Sequence, residues 1–531
     1  MSFHGSMTTP MSRPANPILL GDRPLTVAEV VAVAREHRPV ALTAHAEAAI
    51  LRSRSIVDAL AGDPAPHYGV STGFGALATR HIPVERRAQL QVSLIRSHAA
   101  GSGPEVEVEV TRALMLLRLA TLATGLTGVS VDTAHTYAAM LNAGITPVVP
   151  EYGSLGCSGD LAPLAHCALA AMGEGPVRLA DGTLSEARIA LSEAGIGPAV
   201  LREKEGLALI NGTDGMLGML AMAIEDLTLL LRTADLTAAM SVEGLLGTDH
   251  VFAADLQALR PHPGQAISAS NLRRLLSGSE IRTSHDREDC PRVQDAYSLR
   301  CAPQVHGAAR DTRARAHART VAERELASAI DNPVITDDGR VESNGNFHGA
   351  PVAYVLDFLA IVAADVASMS ERRTDRFLDR ARNAGLPPFL AGDPGVDSGH
   401  MIAHYTQAAI VSELKRLAAP ASVDSIPSSA MQEDHVSMGW AAARKLRRSI
   451  DGLTRVLAVE LLTGARGISL REPLRASPPH RAVVVGLRAR SPQAGMPGAD
   501  RFLAPEIETA VDFVRDGGAV AAAEAVVGVL E

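Results

Sequence analysis

Aromatic residues are scarce in this chain. Of its 531 residues one is Trp, six are Tyr and nine are Phe, which is 3% of the sequence. Strands of β-sandwiches and β-barrels are rich in aromatic and β-branched residues, so this scarcity argues against both architectures. The hydrophobic content of 47% is still ample for a large core. We therefore expect a globular protein with few strands.

Cysteine is also rare. The four Cys residues form no C-x-x-C pair, and the first 17 residues are polar, without the apolar segment of a secretory leader. Disulfides belong to oxidising compartments, so we expect reduced thiols and a cytoplasmic protein whose residues 1–17 are a flexible leader. The 18 His residues are scattered and include no H-E-x-x-H motif, so no metal is expected.

A surplus of positive charge is missing as well. The chain has 50 Lys and Arg against 59 Asp and Glu, a net charge of -9. Nucleic-acid and membrane-surface partners favour a basic face, so neither is expected. A small cluster, Arg310, Arg313, Arg315 and Arg319, alternates with acidic residues and is predicted to be a solvated helix face. The nearest approach to a membrane span, Pro351 to Met369, carries two Asp residues.

Helical periodicity dominates what is present. Apolar residues recur three or four positions apart over several long segments. The segments predicted to be helical are 111–124, 216–240, 311–330, 351–379, 401–417 and 436–463. Strand signals are few and short, such as Thr146 to Val149. The sequence therefore predicts a mainly α fold without internal repeats.

One segment departs from this pattern. GSLGCSGDLAPLAH, residues 153–166, has three Gly and two Ser in its first seven positions. Asp160 is predicted to be the N-cap of the helix that follows, with Pro163 in its first turn. Taken alone, Cys157-Ser158-Gly159 is typical of a tight turn, or of an anion-binding turn at a helix N-terminus.

The same three residues also permit a backbone reaction. The amide nitrogen of Gly159 can attack the carbonyl carbon two residues upstream if the backbone bends enough, and only Gly lacks the Cβ that blocks the bend. If Ser158 then loses water, its Cβ becomes an exocyclic methylidene conjugated to the new ring. The chain would thus make an electrophile from itself.

This loop and a series of other motifs resemble the aromatic amino acid ammonia-lyase family, whose members act on histidine, phenylalanine or tyrosine. The resemblance runs from about Leu25 to Pro505 in family order, through YGVSTGFG, LIRSHAAG, NGTDG, VQDAYSLRC, DNPVI, SNGNFH, SERR, PGVDSGHMIA and QEDHVSMG. In the family, Ala-Ser-Gly cyclises to methylideneimidazolone (MIO). The resemblance implies an MIO formed from Cys157, Ser158 and Gly159, with no external cofactor.

The resemblance also implies an architecture. We expect a long antiparallel helical bundle, residues 206–531, and a smaller N-terminal lobe, residues 18–205, that carries the MIO loop. It further implies a homotetramer with dihedral symmetry, in which each site takes residues from three chains and the loop of Tyr68 faces the MIO of a neighbouring chain.

Single residues receive roles from the same resemblance. Tyr68 matches the base that removes the substrate's β-proton, and bringing its pKa from near ~10 to neutrality needs roughly 4 kcal/mol of local stabilisation, for example from helix N-termini. Arg300 matches the residue that binds the substrate carboxylate with a bidentate guanidinium. The other matches are Tyr297 and Gln294, on one helical face with Arg300, Asn211 beside the ring, and Phe347 packed near it. The alternative for Tyr68, a Tyr beside two glycines, is a loop anchor whose hydroxyl bonds to the backbone.

Two positions point to the substrate. Ser97-His98 after LIR matches the histidine branch, whereas the tyrosine branch has His-Leu and the phenylalanine branch a bulky apolar pair. Glu433, in a predicted helix start, suits an imidazole, because its carboxylate accepts from a ring N–H and a benzene ring would leave that charge unpaired. His98 is expected to bond the other ring nitrogen. The plain alternatives are a helix N-terminal charge and a core histidine.

The prediction is therefore elimination of ammonia from L-histidine to give trans-urocanate. Three residues depart from the histidine branch: Cys157 replaces Ala, Ser71 replaces Asn, and Asp214 replaces Gln. A tyrosine or phenylalanine lyase, an MIO aminomutase and a non-catalytic helical scaffold remain as alternatives.

Overall fold

The computed structural model describes residues 16–63, 65–286, 293–313 and 318–531. Its backbone contacts define two compact units that interleave along the sequence. Unit 1 holds the described residues up to Ala221, with Ala322–Ala350 and Asp424–Trp440, and unit 2 holds Met222–Val321, Pro351–Val423 and Ala441–Glu531. The predicted lobes, 18–205 and 206–531, were continuous, whereas two later segments of the chain return to unit 1. The predicted leader covers residues 1–17, and its first 15 residues lie outside the described part of the chain.

Helices make up most of the structure, so the mainly α prediction is confirmed. The first nine helices are α1 Val27–Glu36, α2 Ala44–Ala61, α3 Arg87–His98, α4 Val108–Ala123, α5 Val131–Asn142, α6 Leu161–Ala171, α7 Ala187–Glu193, α8 Glu205–Ile210 and α9 Asp214–Gly244. The next are α10 Ala254–Ala258, α11 Pro263–Leu276, α12 Glu280–Thr283, α13 Tyr297–Arg300, α14 Ala302–Asp311 and α15 Ala318–Leu326. The last are α16 Ala350–Leu378, α17 Met401–Leu417, α18 Gly439–Ser469, α19 Pro478–Arg490, α20 Ala504–Arg515 and α21 Gly518–Val527.

The strands are short and all belong to unit 1. They are β1 Ile18–Leu20, β2 Val40–Leu42, β3 Ser102–Glu105, β4 Thr146–Pro147, β5 Pro150–Tyr152, β6 Pro176–Arg178, β7 Leu184–Glu186, β8 Val334–Ile335 and β9 Val341–Glu342. Strands β1 and β2 pair in parallel. The antiparallel pairs are β3 with β5, β4 with β6, β6 with β7, and β8 with β9. These small sheets tie the helix ends of unit 1 together.

Most predicted helices agree with the structure to within a few residues. Helix α17 has the predicted bounds, and α4 ends before Gly125, whose φ of 72° marks the turn that stops it. The prediction over 311–330 is wrong in extent: α14 ends at Asp311, and α15 covers only Ala318–Leu326.

Helix α4 forms the centre of unit 1. It packs against α1, α2, α5 and α6, and nearly all of its residues are buried. Its two Arg residues are buried because their guanidinium groups donate to backbone carbonyls: Arg112 to Val33 and Leu141, and Arg118 to Asn211 and Ile330. Each of these Arg residues thus holds the backbone of neighbouring segments against the apolar helix α4.

The Arg cluster at the end of α14 is not the solvated face that the sequence suggested. Arg310 is buried and donates to Asp235 Oδ2 at 2.5 Å and to the Leu231 carbonyl. Arg313 donates to Thr228 Oγ1 at 2.6 Å. Arg315 lies outside the described residues. The acidic partner of Arg310 is far away in sequence, so the local alternation of charges did not show it.

One described helix, α16, is long and apolar enough to cross a membrane by length and composition alone. Two thirds of its most apolar window, 67%, is buried within the protein. Its Asp357 is buried and pairs with Lys445 Nζ at 2.5 Å. This is the pattern of a core helix.

Candidate active site

The loop before α6 has an unusual backbone. Ser158 has a φ of 48° and Gly159 a φ of 80°, both in the left-handed region. A Cβ on Gly159 would lie 1.9 Å from the carbonyl oxygen of Gly212, and the next N–H, of Asp160, donates to that same oxygen at 2.6 Å. Only glycine fits at this position.

The other end of the loop is held by a distant segment. The N–H of Met438 donates to the Leu155 carbonyl at 2.9 Å, and Ser437 Oγ donates to the Gly156 carbonyl at 3.0 Å. The N–H of Gly349 also donates to the Gly156 carbonyl, at 3.4 Å. The three residues between Gly156 and Asp160 are therefore anchored on both sides.

Asp160 occupies the N-cap position that the sequence predicted, but its side chain bonds elsewhere. Its position is the N-cap of α6, yet its side chain makes no cap bond there. Instead Oδ2 accepts from the N–H groups of Gly215 and Met216, both at 2.9 Å, in the first turn of α9, and Oδ1 accepts from Ser154 Oγ at 2.8 Å. Burial raises the pKa of Asp160 to about 7. One carboxyl thus joins the loop to the start of α9.

Glu433 lies against the loop. Its Oε2 accepts from Cys157 Sγ at 3.2 Å and from Ser428 Oγ at 2.8 Å. Backbone bonds between Ser428 and Glu433 run in both directions, at 2.9 and 3.3 Å. Burial raises the pKa of the Cys157 thiol to about 12, and the charge of Glu433 adds to this effect. The thiol is therefore a protonated donor.

The predicted helix start at Gln432-Glu433-Asp434 is wrong. Helix α18 begins only at Gly439, and the segment before it contains four left-handed residues, Ser429, Ala430, Met431 and Met438. A segment with this backbone cannot continue as an α-helix. The carboxylate of Glu433 is consequently no helix N-terminal charge, and this alternative is removed.

His98 ends α3 and is half-buried. Its Nδ1 lies 2.9 Å from the carbonyl oxygen of Leu94, and Ser97 Oγ donates to the same carbonyl at 3.0 Å. A carbonyl only accepts, so Nδ1 carries the hydrogen and Nε2 is left as an acceptor. Burial lowers the pKa of His98, while the Leu94 carbonyl and the charge of Glu433 oppose that shift. Ser97 thus bonds to its own helix.

Tyr68 lies in the turn that Ser71 closes. The Ser71 hydroxyl accepts from the N–H of His67 at 2.9 Å, and the Tyr68 hydroxyl accepts from the N–H of Gly75 at 3.3 Å. Burial raises the pKa of Tyr68, and Glu433 and Asp331 raise it further. Within one chain the expected lowering is therefore absent.

Asn211 follows α8 and is buried. Its backbone carbonyl accepts from Arg118 Nη1 at 2.6 Å, whereas its side-chain Oδ1 has no hydrogen-bond partner among the described residues. Asp214, the first residue of α9, lies with Oδ2 3.6 Å from Arg118 Nε, and burial raises the pKa of Asp214. The amide oxygen of Asn211 is thus left available beside Gly212.

Phe347 lies in the turn between β9 and α16 and is half-buried. The next residue, His348, stacks on His435, with Nε2 3.1 Å from Nδ1 of His435. This contact joins the turn that carries Phe347 to the segment that carries Glu433.

Gln294, Tyr297 and Arg300 belong to unit 2. The guanidinium of Arg300 lies 4.8 Å from the centre of the Tyr297 ring, as expected for residues three apart on a helix. Gln294 does not share their helical face, because α13 starts at Tyr297 and Ala296 before it is extended. Tyr297 and Gln294 are exposed, and Arg300 Nε is buried without a partner among the described residues.

The comparison with known proteins decides the family. The family model for aromatic amino acid lyases matches residues 25–489. This chain belongs to the aromatic amino acid lyase family. The resemblance inferred from the motifs is confirmed.

Individual relatives cover almost the whole chain. A histidine ammonia-lyase of Streptomyces avermitilis is 64% identical over 97% of this chain and 99% of the relative. Among solved structures, a tyrosine aminomutase from Streptomyces globisporus has a TM-score of 0.89 at 37% identity, covering 96% of this chain and 98% of that one. Histidine ammonia-lyase from Trypanosoma cruzi has a TM-score of 0.87 at 36% identity, covering 96% and 95%.

Sequence reasoning missed Ser428 and Arg118. Ser428 lies outside every motif, and only the folded chain shows that it bonds to Glu433. Arg118 did carry a signal, since it is a charged residue inside the apolar helix α4. Its role as a clamp on Asn211 required the structure.

Proposed function

We propose that this protein is a carbon–nitrogen lyase that eliminates ammonia from L-histidine to give trans-urocanate. One observation carries the proposal: a carboxylate able to accept from an imidazole N–H lies 3.2 Å from Cys157 of the loop, within electrostatic range of His98 and Tyr68. The names of the relatives from Streptomyces avermitilis and Trypanosoma cruzi support it.

We propose that Cys157, Ser158 and Gly159 form the MIO group that the family is known for. Three observations fit: the left-handed φ of Ser158, the space at Gly159 that admits no Cβ, and the unpartnered buried Oδ1 of Asn211. Ring closure joins the Gly159 nitrogen to the Cys157 carbonyl carbon and releases one water, and Ser158 releases a second by losing its hydroxyl group and its Cα hydrogen. When present, the group supplies an electrophilic methylidene carbon. No metal or external cofactor is proposed.

The imidazole ring is held by two acceptors in this proposal. Glu433 accepts from one ring N–H, and His98 accepts through Nε2 because its Nδ1 already donates to Leu94. A ring with two N–H groups, the imidazolium form, satisfies both partners. A phenyl ring offers neither of them a hydrogen, and the buried acceptors would lose their partners.

Tyr68 is proposed to remove the β-proton, and Arg300 to bind the carboxylate through its guanidinium fork. In a single chain burial and nearby carboxylates raise the pKa of Tyr68, so the phenolate needs added positive charge. We propose that a homotetramer supplies it, with Gln294, Tyr297 and Arg300 of one chain completing the site of another. Asn211 and Phe347 are proposed to lie beside the ring, and the protein to be cytoplasmic.

A substrate panel tests the function. Purified protein is mixed separately with L-histidine, L-tyrosine and L-phenylalanine, and the ultraviolet band of each unsaturated product is followed. We expect a product band with histidine. Turnover of tyrosine alone overturns the substrate, a β-amino acid product indicates an aminomutase, and no turnover of any of the three indicates a scaffold.

Ser158→Ala tests the prosthetic group. The parent peptide that contains residues 157–159 should be lighter than its sequence mass by two waters, and the variant peptide should not. We expect the variant to keep its fold, measured by circular dichroism, and to lose turnover. A parent peptide of full mass, or an active variant, contradicts the proposal.

A further inference from the structure

Cys157 stands where the family usually has Ala, and its side chain touches the residue proposed to select the substrate. Its Sγ lies 3.2 Å from Glu433 Oε2, and Ser428 Oγ lies 2.8 Å from the same oxygen. Within the described residues no donor bonds to the other oxygen, Oε1. Two donors thus hold Oε2, and Oε1 keeps its capacity to accept a hydrogen bond.

We propose that Cys157 is a positioning residue for Glu433: its S–H bond, together with the Ser428 hydroxyl, holds the carboxylate ready for the ring N–H of the substrate. This inference rests on the proposed function, because it concerns the residue that binds the imidazole there. It gives the thiol a task separate from ring closure, which uses only the Cys157 carbonyl carbon.

The thiol is suited to this task. At a pKa of about 12, set mainly by burial, it stays protonated at neutral pH and can only donate to a carboxylate. The methyl group of Ala has no hydrogen to donate, whereas the hydroxyl of Ser has. The chain therefore offers a removal, Cys157→Ala, and a conservative replacement, Cys157→Ser.

Fixing Glu433 matters because its surroundings do not otherwise restrain it. It lies outside α18, in a half-exposed segment, and a free Glu side chain loses considerable rotamer entropy when a ligand immobilises it. A carboxylate that is already held loses this rotamer entropy during folding and not during binding, so the affinity for the ligand is higher.

The test measures binding without turnover. In the Ser158→Ala background, calorimetry gives the Kd of L-histidine with Cys157, Cys157→Ala and Cys157→Ser. We expect Cys157→Ala to raise the Kd about threefold to tenfold, as for loss of one ordinary hydrogen bond, and Cys157→Ser to stay within about twofold. In proteins that keep Ser158, KM should rise with Cys157→Ala while kcat changes less.

Cys167→Ala is the matched control. Cys167 is a buried, free thiol on α6 that makes no bond to Glu433. Its loss should leave the Kd unchanged, whatever it does to thermal stability. If Cys157→Ala binds histidine as tightly as its parent, the inference is overturned. If the parent neither binds nor converts histidine, the proposed function fails instead.

A readout on the thiol itself completes the test. Glu433→Gln removes the negative charge that helps to raise the pKa of Cys157. Alkylation of Cys157 by iodoacetamide at mildly alkaline pH, followed by peptide mass analysis, should therefore become severalfold faster. An unchanged rate shows that the two groups do not interact and contradicts the inference.

Discussion

Asn211 carries a buried amide oxygen with no partner among the described residues, next to the loop that reacts in the proposed function. An unpartnered group of this kind is costly to the fold and useful to a ligand or a transition state. We expect Asn211→Ala to lower kcat about 100-fold to 1000-fold, while the free energy of unfolding changes by less than about 1 kcal/mol. Steady-state kinetics and urea unfolding measure the two effects.

Asn142→Ala serves as the control for this prediction. The Asn142 amide is satisfied, since Oδ1 accepts from the Val40 N–H at 2.8 Å and Nδ2 donates to the Val40 carbonyl at 2.9 Å. Its loss should lower stability by about 1–3 kcal/mol and leave kcat unchanged. An Asn211→Ala protein with parental kcat removes Asn211 from the site.

At this scale the sequence predicted which residue types belong to the site, and the structure added their partners. Local motifs identified four residues that the structure places in unit 1: Tyr68, His98, Cys157 and Glu433. Glu433 accepts from Cys157, and its charge acts on the pKa of Tyr68 and of His98. The partner Ser428 was not predictable, because its bond depends on left-handed backbone that no residue-type preference indicates. The raised pKa of Tyr68 was missed because it arises from burial and from carboxylates distant in sequence.

At the scale of elements, Asp160 links the loop to the first turn of α9. The pKa of its carboxyl is about 7 in the folded protein against 3.8 for an exposed Asp. When the pKa of a group is higher in the folded state than in the unfolded state, its contribution to stability is complete at a pH below the unfolded-state pKa. This contribution is lost as the pH rises through the folded-state pKa. The contribution of Asp160 to stability is therefore largest at acidic pH and decreases as the pH rises through about 7.

Asp160→Ala tests the link. Alanine has no side-chain acceptor for the two N–H groups of α9, so near pH 3.8 the variant should be less stable than the parent by about 1–3 kcal/mol. Because the variant does not ionise, the gap should narrow as the pH rises above 7. Thermal unfolding across this range checks both points, and a gap that is constant with pH refutes the assignment.

Element bounds were predictable where a helix is long and periodic, and not where it is short. Helix α17 matched its prediction because its apolar pattern and helical propensity agree. Gln294 was misplaced because α13 is a single turn, too short for periodicity to define. Asp160 is the predicted N-cap residue of α6, but its bonds to α9 were not predictable, because a cap motif specifies an acceptor and not which N–H groups it meets.

At the scale of the whole molecule, unit 2 presents an apolar face. Tyr354, Phe358 and Ile361 are exposed along one side of α16, and Ile402 and Tyr405 are exposed on α17. The two helices are joined by His404, whose Nε2 lies 2.6 Å from Glu371 Oε1. Exposed apolar patches of this kind mark protein interfaces, which supports the proposed homotetramer.

Phe358→Glu should break that assembly. We expect light scattering to show a smaller species than the parent, because the charge would be buried without a partner. Activity should fall with assembly, since the proposed site takes residues from several chains. Leu259→Glu, at a residue 82% exposed elsewhere in unit 2, is the control and should change neither. A Phe358→Glu protein of parental mass excludes this face as the interface.

The anchors of the loop also set the order of events in the life of the chain. Gly212, Ser437 and Met438 hold the loop in place, and the last of them emerges from the ribosome 279 residues after Gly159. A nascent or unfolded chain therefore carries an ordinary serine. Under the proposed function the electrophile can form only once these contacts exist, so a misfolded copy would keep its unreacted loop, and a modified loop would report that folding has succeeded.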